Sequence, residues 1–426
     1  MPYSHSSSAS KQLTLELFEV LEAYTSGQPL DNNTLYDRMA ANSGVCRDDL
    51  DATTPIGASG QSHSIAKRTI RWHQQTLKTM GLLERVEGKR GVWQLAQQNK
   101  AGLHEAMAGV RLVAYSTDLG CAIWTDNKSF LTDLSEPVHL CVTSPPFPLR
   151  QQRGYGNVDE KRWVDFIVES LEPVVKNLVP GGSLVLNISN DIFESKRPSR
   201  SLYVERMVLA LHDDLGLSLM DRWTWVNLSK PPSPTYWACV KRQQLCSGWE
   251  PVFWFTNDPD QVRSDNRRVL EPHTEKHKAF LDVGNTRSAS YGDGAYSLRP
   301  GVSFSNKTAG KIPKNVIMRG HRCADTLAAR DAAKRLGLPP HSAMFPTDIP
   351  DFAIRFLTSE GDLVVDPFAG SNKTGLAAER LGRRWLSTEL MLEYCRTQAE
   401  LFATKPGFWL NPAMQTLVEQ VASKHI

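Results

Sequence analysis

Apolar positions follow two different rhythms along this chain, with a change near residue 105. In the first hundred residues they recur at helical spacing, over Leu13–Leu21, Thr34–Ala40 and Ile65–Met80. Gly81–Leu95 then alternates around a glycine turn, as a hairpin does. Farther on, the apolar runs become short, at Pro137–Val142, Ser183–Ile188 and Asp362–Val365, and Arg384–Glu389 reads as a further strand. Such segments predict strands, and helical Leu376–Leu381 lies between the last two. The second part of the chain therefore reads as an α/β unit built on an open, largely parallel sheet.

Two of these strands end in turns suited to chemistry. Thr143-Ser144-Pro145-Pro146-Phe147 follows the first, and Asp366-Pro367-Phe368-Ala369-Gly370-Ser371-Asn372-Lys373-Thr374-Gly375 follows the third. The latter is strand, glycine turn, helix: Gly370 lets backbone approach a ligand, and the helix opening near Ser371-Asn372 aims free N–H groups at it. One helix later, Glu389 ends the next strand, where a carboxylate suits a pair of ribose hydroxyls. The turn is neither Gly-x-Gly-x-x-Gly nor a P-loop, which points to a smaller adenosine ligand rather than a dinucleotide or a nucleoside triphosphate. Asp191, just past another strand run, is a candidate for the same pocket.

Composition is that of a globular protein, with 41% hydrophobic and 22% charged residues in 426. No apolar run reaches membrane-span length and no signal-peptide core stands at the N-terminus, so a cytoplasmic protein is expected. The seven cysteines lack any Cys-x-x-Cys pair and are read as reduced, with no metal site. Charge matters only once it is divided along the chain. Residues 256–340 hold 15 Lys and Arg against 9 Asp and Glu, and residues 65–91 hold 7 against 2. Basic residues at that density suit phosphate contacts. His273, His277 and His321 fit among such contacts better than around a metal, and Trp223 and Trp225 alternate as core residues of a strand do.

Ser-Pro-Pro-Phe upstream of Asp-Pro-Phe-x-Gly-Ser resembles the β-class of DNA amino-methyltransferases, in which the catalytic motif precedes the S-adenosylmethionine motif. The likeness spans roughly residues 110–405. It implies a circularly permuted, Rossmann-like methyltransferase sheet that takes S-adenosylmethionine as cofactor and methylates an exocyclic amino group of a base flipped out of double-stranded DNA. Ser144, Pro145, Pro146 and Phe147 would form the catalytic loop. Asp366, Phe368, Gly370, Ser371, Asn372 and Glu389 would hold the cofactor. His341-Ser342-Ala343-Met344-Phe345-Pro346 matches a segment contacting the methionine end, represented by Phe345 and Pro346, and Asp126 matches the acid near the adenine. Tyr155-Gly156-Asn157 and Lys230-Pro231-Pro232-Ser233-Pro234 fit the same branch, whereas Asn372-Lys373-Thr374 departs from the usual Gly-Thr-Thr.

The resemblance divides the chain into 1–105, 106–255 (catalytic half), 256–340 (target recognition) and 341–426 (cofactor half). DNA contacts in the recognition region would come from Arg263, Arg267, Arg268, Lys307, Lys311, Lys314, Arg319 and Arg322. The N-terminal unit resembles a winged helix for DNA binding or dimerisation, with Lys67, Arg68, Arg71, Lys89 and Arg90 as contacts. Serine before Pro-Pro is typical of N4-cytosine members, and Asp or Asn of N6-adenine members. Cytosine N4 is thus favoured and adenine N6 stays open. C5 methylation needs a cysteine nucleophile, and no Pro-Cys occurs. A cognate restriction nuclease and a homodimer are compatible partners. The rival readings are a protein or RNA amino-methyltransferase and a non-catalytic DNA-binding regulator.

Overall fold

A computed structural model describes residues 17–24, 28–43, 46–56, 61–80, 82–96, 103–149, 158–227, 229–286, 289–290, 297–298, 308–412 and 414. Its centre is a ten-stranded mixed sheet, in the order Val316–Met318, Ser218–Val226, Trp249–Thr256, Leu178–Asn187, Val138–Thr143, Leu363–Asp366, Arg384–Glu389, Gly120–Thr125, Arg111–Ser116 and Trp409–Leu410. The strands from Leu178–Asn187 to Gly120–Thr125 are parallel. Permutation is visible at the middle, where Val364 and Val365 pair with Leu140 and Cys141, more than 200 residues earlier.

Period-two alternation sorts these strands into two packed layers. Leu140, Val142, Val185 and Val364 belong to one apolar cluster with Ile354 and Leu376. Cys141, Leu184, Leu186, Leu363 and Val365 face the other, with Trp163 and Ile167. Both faces are covered, which is why these strands read as unbroken apolar runs. Trp223 and Trp225 are buried as expected, Trp223 edge-on to Phe352 with centroids 5.3 Å apart.

From Val138–Thr143 the chain crosses through helix Glu160–Lys176 to Leu178–Asn187 on one side. From Leu363–Asp366 it crosses through helix Lys373–Arg380 to Arg384–Glu389 on the other. The two connections leave adjacent parallel strands in opposite directions, so a crevice opens at their C-terminal ends.

The basic segment 256–340 contains regular elements as well as loops. Val316–Met318 joins the sheet edge beside Ser218–Val226, and Ala324–Arg335 is a helix burying Thr326, Ala329, Ala332 and Ala333. Alanine favours the helix and allows close packing, but it leaves no strong apolar period to detect. Helix Glu275–Asp282 lies in the same stretch.

Near the N-terminus, helices Asn32–Ser43 and Ile65–Thr79 accompany an antiparallel pair, Leu83–Arg85 with Val92–Leu95, joined by Leu30–Asp31. Ser64 caps the long helix by accepting from the Lys67 N–H, and the helix buries Ile70, His73, Gln74 and Leu77, a helical stripe. Helix Arg47–Asp51 and the hairpin Thr54–Ile56 with Gln61–His63 were not expected, being short and polar. Among the described residues no helix is long and apolar enough to cross a membrane. Tyr155-Gly156-Asn157 and Lys307 lie outside the described residues.

Candidate active site

A cavity of about 320 Å³ fills the crevice at the C-terminal ends of Val138–Thr143 and Leu363–Asp366. Ser144, Pro145, Pro146 and Phe147 line one side; Phe368, Gly370, Ser371 and Glu389 line the other, with Asp126 and Phe345 completing the wall. Two loops far apart in sequence thus share one pocket. They are also cross-tied from behind. Thr143 Oγ1 donates to Asp366 Oδ1 at 2.6 Å, and Thr374 Oγ1 donates to the Val142 carbonyl at 3.1 Å. Trp163 Nε1 donates to the Pro146 carbonyl at 2.7 Å, fixing a loop already stiffened by two prolines. Ser144 Oγ lies 3.5 Å from Asn187 Oδ1.

Gly370 has φ of +56°, and a Cβ there would lie 3.1 Å from His341 Nε2. Its N–H donates to Glu389 Oε2 at 2.7 Å and its carbonyl accepts from Gln398 Nε2 at 2.7 Å, while the Met391 N–H donates to Glu389 Oε1 at 2.9 Å. Burial pushes the Glu389 carboxyl up to about 7 against these N–H donors. Burial likewise raises Asp366 to about 6.

Three expected cofactor residues stand behind the wall rather than on it: Asp366, Pro346 and Asn372. Asp366 accepts from Thr143 and from the Phe368 N–H at 3.1 Å. Asn372, at φ of +50°, accepts from the Gly375 N–H and Ser387 Oγ and donates to Tyr115 Oη at 2.7 Å. It holds the turn. Asp191 is also absent from the cavity, serving instead as an ion-pair hub for Lys230 and Arg200.

The departure at Lys373 has a structural consequence. The side chain is buried at the cavity wall, and Nζ donates to the Phe345 carbonyl at 2.8 Å, to Thr326 Oγ1 and to Cys323 Sγ. Burial lowers the pKa of Lys373. Burial opposes ionisation of the Cys323 thiol, but hydrogen bonds from Thr326 and Thr347 and the Lys373 charge outweigh it and bring the thiol to about 7. Asn127, Val158, Phe166 and Leu390 line the cavity without having been singled out in the sequence, and Lys373, noted there only as a departure, lines it too. For Phe166 the signal was available, since its helix carries an apolar stripe, but a stripe does not separate pocket from core.

The basic candidates divide into engaged and open side chains. Arg263 donates to both oxygens of Asp362, and Arg268 donates to the Thr358 carbonyl at 3.0 Å, so both brace the fold. Arg267 pairs with Asp265, Lys311 with Glu271 and Arg319 with Asp348, each at 2.7–2.8 Å on the surface. Lys314 and Arg322 are exposed. In the N-terminal unit, Lys67 pairs with Asp51 and sits over the Tyr36 ring, and Lys89 is exposed. Arg68, Arg71 and Arg90 line an open groove together with Arg85 and the exposed Trp72, two residues missed in the sequence. Among the described residues no cluster of His, Cys, Asp or Glu could hold a metal ion. No two of the seven cysteines are joined.

Residues 138–400 match the DNA methylase family, and residues 12–105 match the Mrr N-terminal domain. The chain is 32% identical over 296 residues to the type II methyltransferase M.PvuII of Proteus hauseri, covering 68% of this chain and 85% of that protein. It is 22% identical over 300 residues to M.BglII of Bacillus subtilis, covering 68% and 71%. Among solved structures it superposes on the PvuII DNA methyltransferase (cytosine-N4-specific) with a TM-score of 0.55 and 28% identity, covering 74% of this chain and 96% of that one. With the Ser144–Phe147 and Gly370–Ser371 turns meeting at the switch point of a permuted sheet, these matches make the chain a member of the DNA methylase family, an S-adenosylmethionine-dependent DNA amino-methyltransferase.

Proposed function

We propose that the enzyme methylates N4 of cytosine in a specific duplex site, with Ser144–Phe147 handling the base and the Gly370–Glu389 wall handling the cofactor. The observation that carries this is the single cavity lined by both turns. Its volume lies in the range of small-molecule sites, and its wall offers what the cofactor needs: a glycine permitting close approach, a carboxylate and aromatic faces. When bound, S-adenosylmethionine supplies a methyl group on a sulfonium. Glu389 accepts from the ribose hydroxyls, Asp126 meets the adenine, and Phe345 and Phe368 exclude water. Ser144 Oγ and the Pro145 carbonyl accept hydrogens from the target amino group. That draws the nitrogen towards tetrahedral geometry and frees its lone pair for attack. Phe147 stacks on the flipped base. Serine in the loop, together with the cytosine-N4 specificity of the similar PvuII enzyme, favours cytosine over adenine.

Glu389 links cofactor binding to pH. Its carboxyl sits near 7 in the free protein, and ribose hydroxyls donate best to the ionised form, so binding expels a proton whenever the free site holds one. Affinity for S-adenosylmethionine should fall as pH drops below about 7, by up to about tenfold per unit. Calorimetry in buffers of different ionisation enthalpy should detect the released proton at pH 6. A flat affinity from pH 6 to 8 would remove Glu389 from this role.

Residues 1–105 act as a separate DNA-binding or dimerising unit in this reading, supported by the groove of Arg68, Arg71, Arg85 and Arg90. A cognate nuclease and a cytoplasmic location fit the type II relatives. Methylation-aware sequencing of DNA from cells expressing the protein tests the proposal, with N4-methylcytosine expected in one short motif. The chain starting at residue 106 should mark the same motif less completely. Methyl groups on adenine N6 would move the target, and unmarked DNA would reject the reading.

A further inference from the structure

We propose that residues 229–248, the connection between Ser218–Val226 and Trp249–Thr256, form a further DNA-contacting element that presses Tyr236 and Leu245 against the duplex beside the target base. The inference rests on the proposed reading of the cavity. Its first support is position. Ser218–Val226 runs parallel to Leu178–Asn187, so the connection leaves the sheet on the same rim as the catalytic loop. Strand Leu178–Asn187 neighbours the catalytic strand, and the two strands that the connection joins come next. At about 4.8 Å per strand this sets its base roughly 10–15 Å from Ser144, three or four base-pair steps along a duplex.

The second support is a conflict between how the segment is held and what it displays. Its inner side is fixed by polar contacts: Lys230 Nζ lies 2.8 Å from Asp191 Oδ2 and 3.2 Å from Glu250 Oε1, and Gln244 Nε2 donates to the Pro198 carbonyl at 3.0 Å. Its outer side leaves large apolar groups in solvent, with Tyr236 53%, Val240 65% and Leu245 87% exposed. A turn anchored in this way does not rely on those side chains for folding, and apolar groups gathered on a rim mark a contact surface. Charge selects the partner. From Ser229 to Trp249 there is no acidic residue, and Lys241 and Arg242 flank the apolar groups, with Lys241 Nζ 5.8 Å from the centre of the Tyr236 ring. Aromatic and aliphatic groups framed by cations on the rim of a base-flipping pocket fit nucleic acid.

The test uses the full chain, tritiated S-adenosylmethionine and unmethylated bacterial genomic DNA. Tyr236→Ala with Leu245→Ala should raise the KM for DNA about tenfold, the loss expected for one base-stacking contact, with unchanged cofactor affinity and melting temperature. Lys241→Gln with Arg242→Gln should flatten the logarithmic salt dependence of DNA binding by about two units. Wild-type KM and salt slope in both variants would overturn the inference while leaving the cavity's assignment intact, whereas failure of the unmodified enzyme to methylate the DNA would reject that assignment itself. A dimer converted to a monomer by the apolar pair, with DNA parameters unchanged, would assign the surface to a second copy of the chain and overturn the inference equally.

Discussion

Replacing Gly370 by valine should abolish measurable S-adenosylmethionine binding while the sheet stays folded. The residue lies at φ of +56°, where a β-branched side chain is disfavoured by about 1–2 kcal/mol or more. Its new Cβ would meet the His341 ring at 3.1–3.2 Å, and both residues line the cavity, so the added methyl groups displace a wall or occupy the ligand's space. The Gly370 N–H that positions Glu389 would shift with the turn. Calorimetric titration and a thermal melt separate the two effects, with lost binding expected beside a melting point lowered by only a few degrees. Full affinity in the variant would mean that the cofactor approaches elsewhere.

The second large effect belongs to the Ser144–Phe147 loop. Ser144→Ala should lower the single-turnover methylation rate on the order of 100-fold, the scale of removing one positioned hydrogen-bonding group from a reacting centre. Cofactor affinity should be unchanged, because Ser144 contributes to the base side of the cavity. Phe147→Ala should weaken binding of the flipped base by about 1–3 kcal/mol. Rates equal to those of the unmodified enzyme in both variants would send the search for the base-handling residues to another wall.

Local chemistry was the readable part of this chain. Ser144–Phe147 and Asp366–Gly375 each stand out within a few residues, and the strands before them reveal themselves as apolar runs because both faces are buried. What stayed hidden depends on partners distant in sequence. Arg263 resembles a phosphate ligand until Asp362, 99 residues on, is found beside it. Lys373 resembles a surface residue until Thr326 and Phe345 enclose it, 47 and 28 residues away. Helix Ala324–Arg335 went unseen because it packs through alanine and threonine. Asn372 was assigned to the ligand because its place in the turn is visible, whereas its bonds to Tyr115 and Ser387 are not.

The permuted order has a consequence for biosynthesis. Leu363–Asp366 lies between Val138–Thr143 and Arg384–Glu389, so the middle of the sheet is made of segments that leave the ribosome far apart in time. Until it arrives, Val138–Thr143 has one unpaired edge, a row of bare N–H and C=O groups that invites misassociation. The Thr143–Asp366 bond, spanning 223 residues, cannot form before the last fifth of the chain is made. Such long-range closure slows folding. It also means that a nascent product ending before Leu363 holds the Ser144–Phe147 side of the cavity without its Gly370–Glu389 wall.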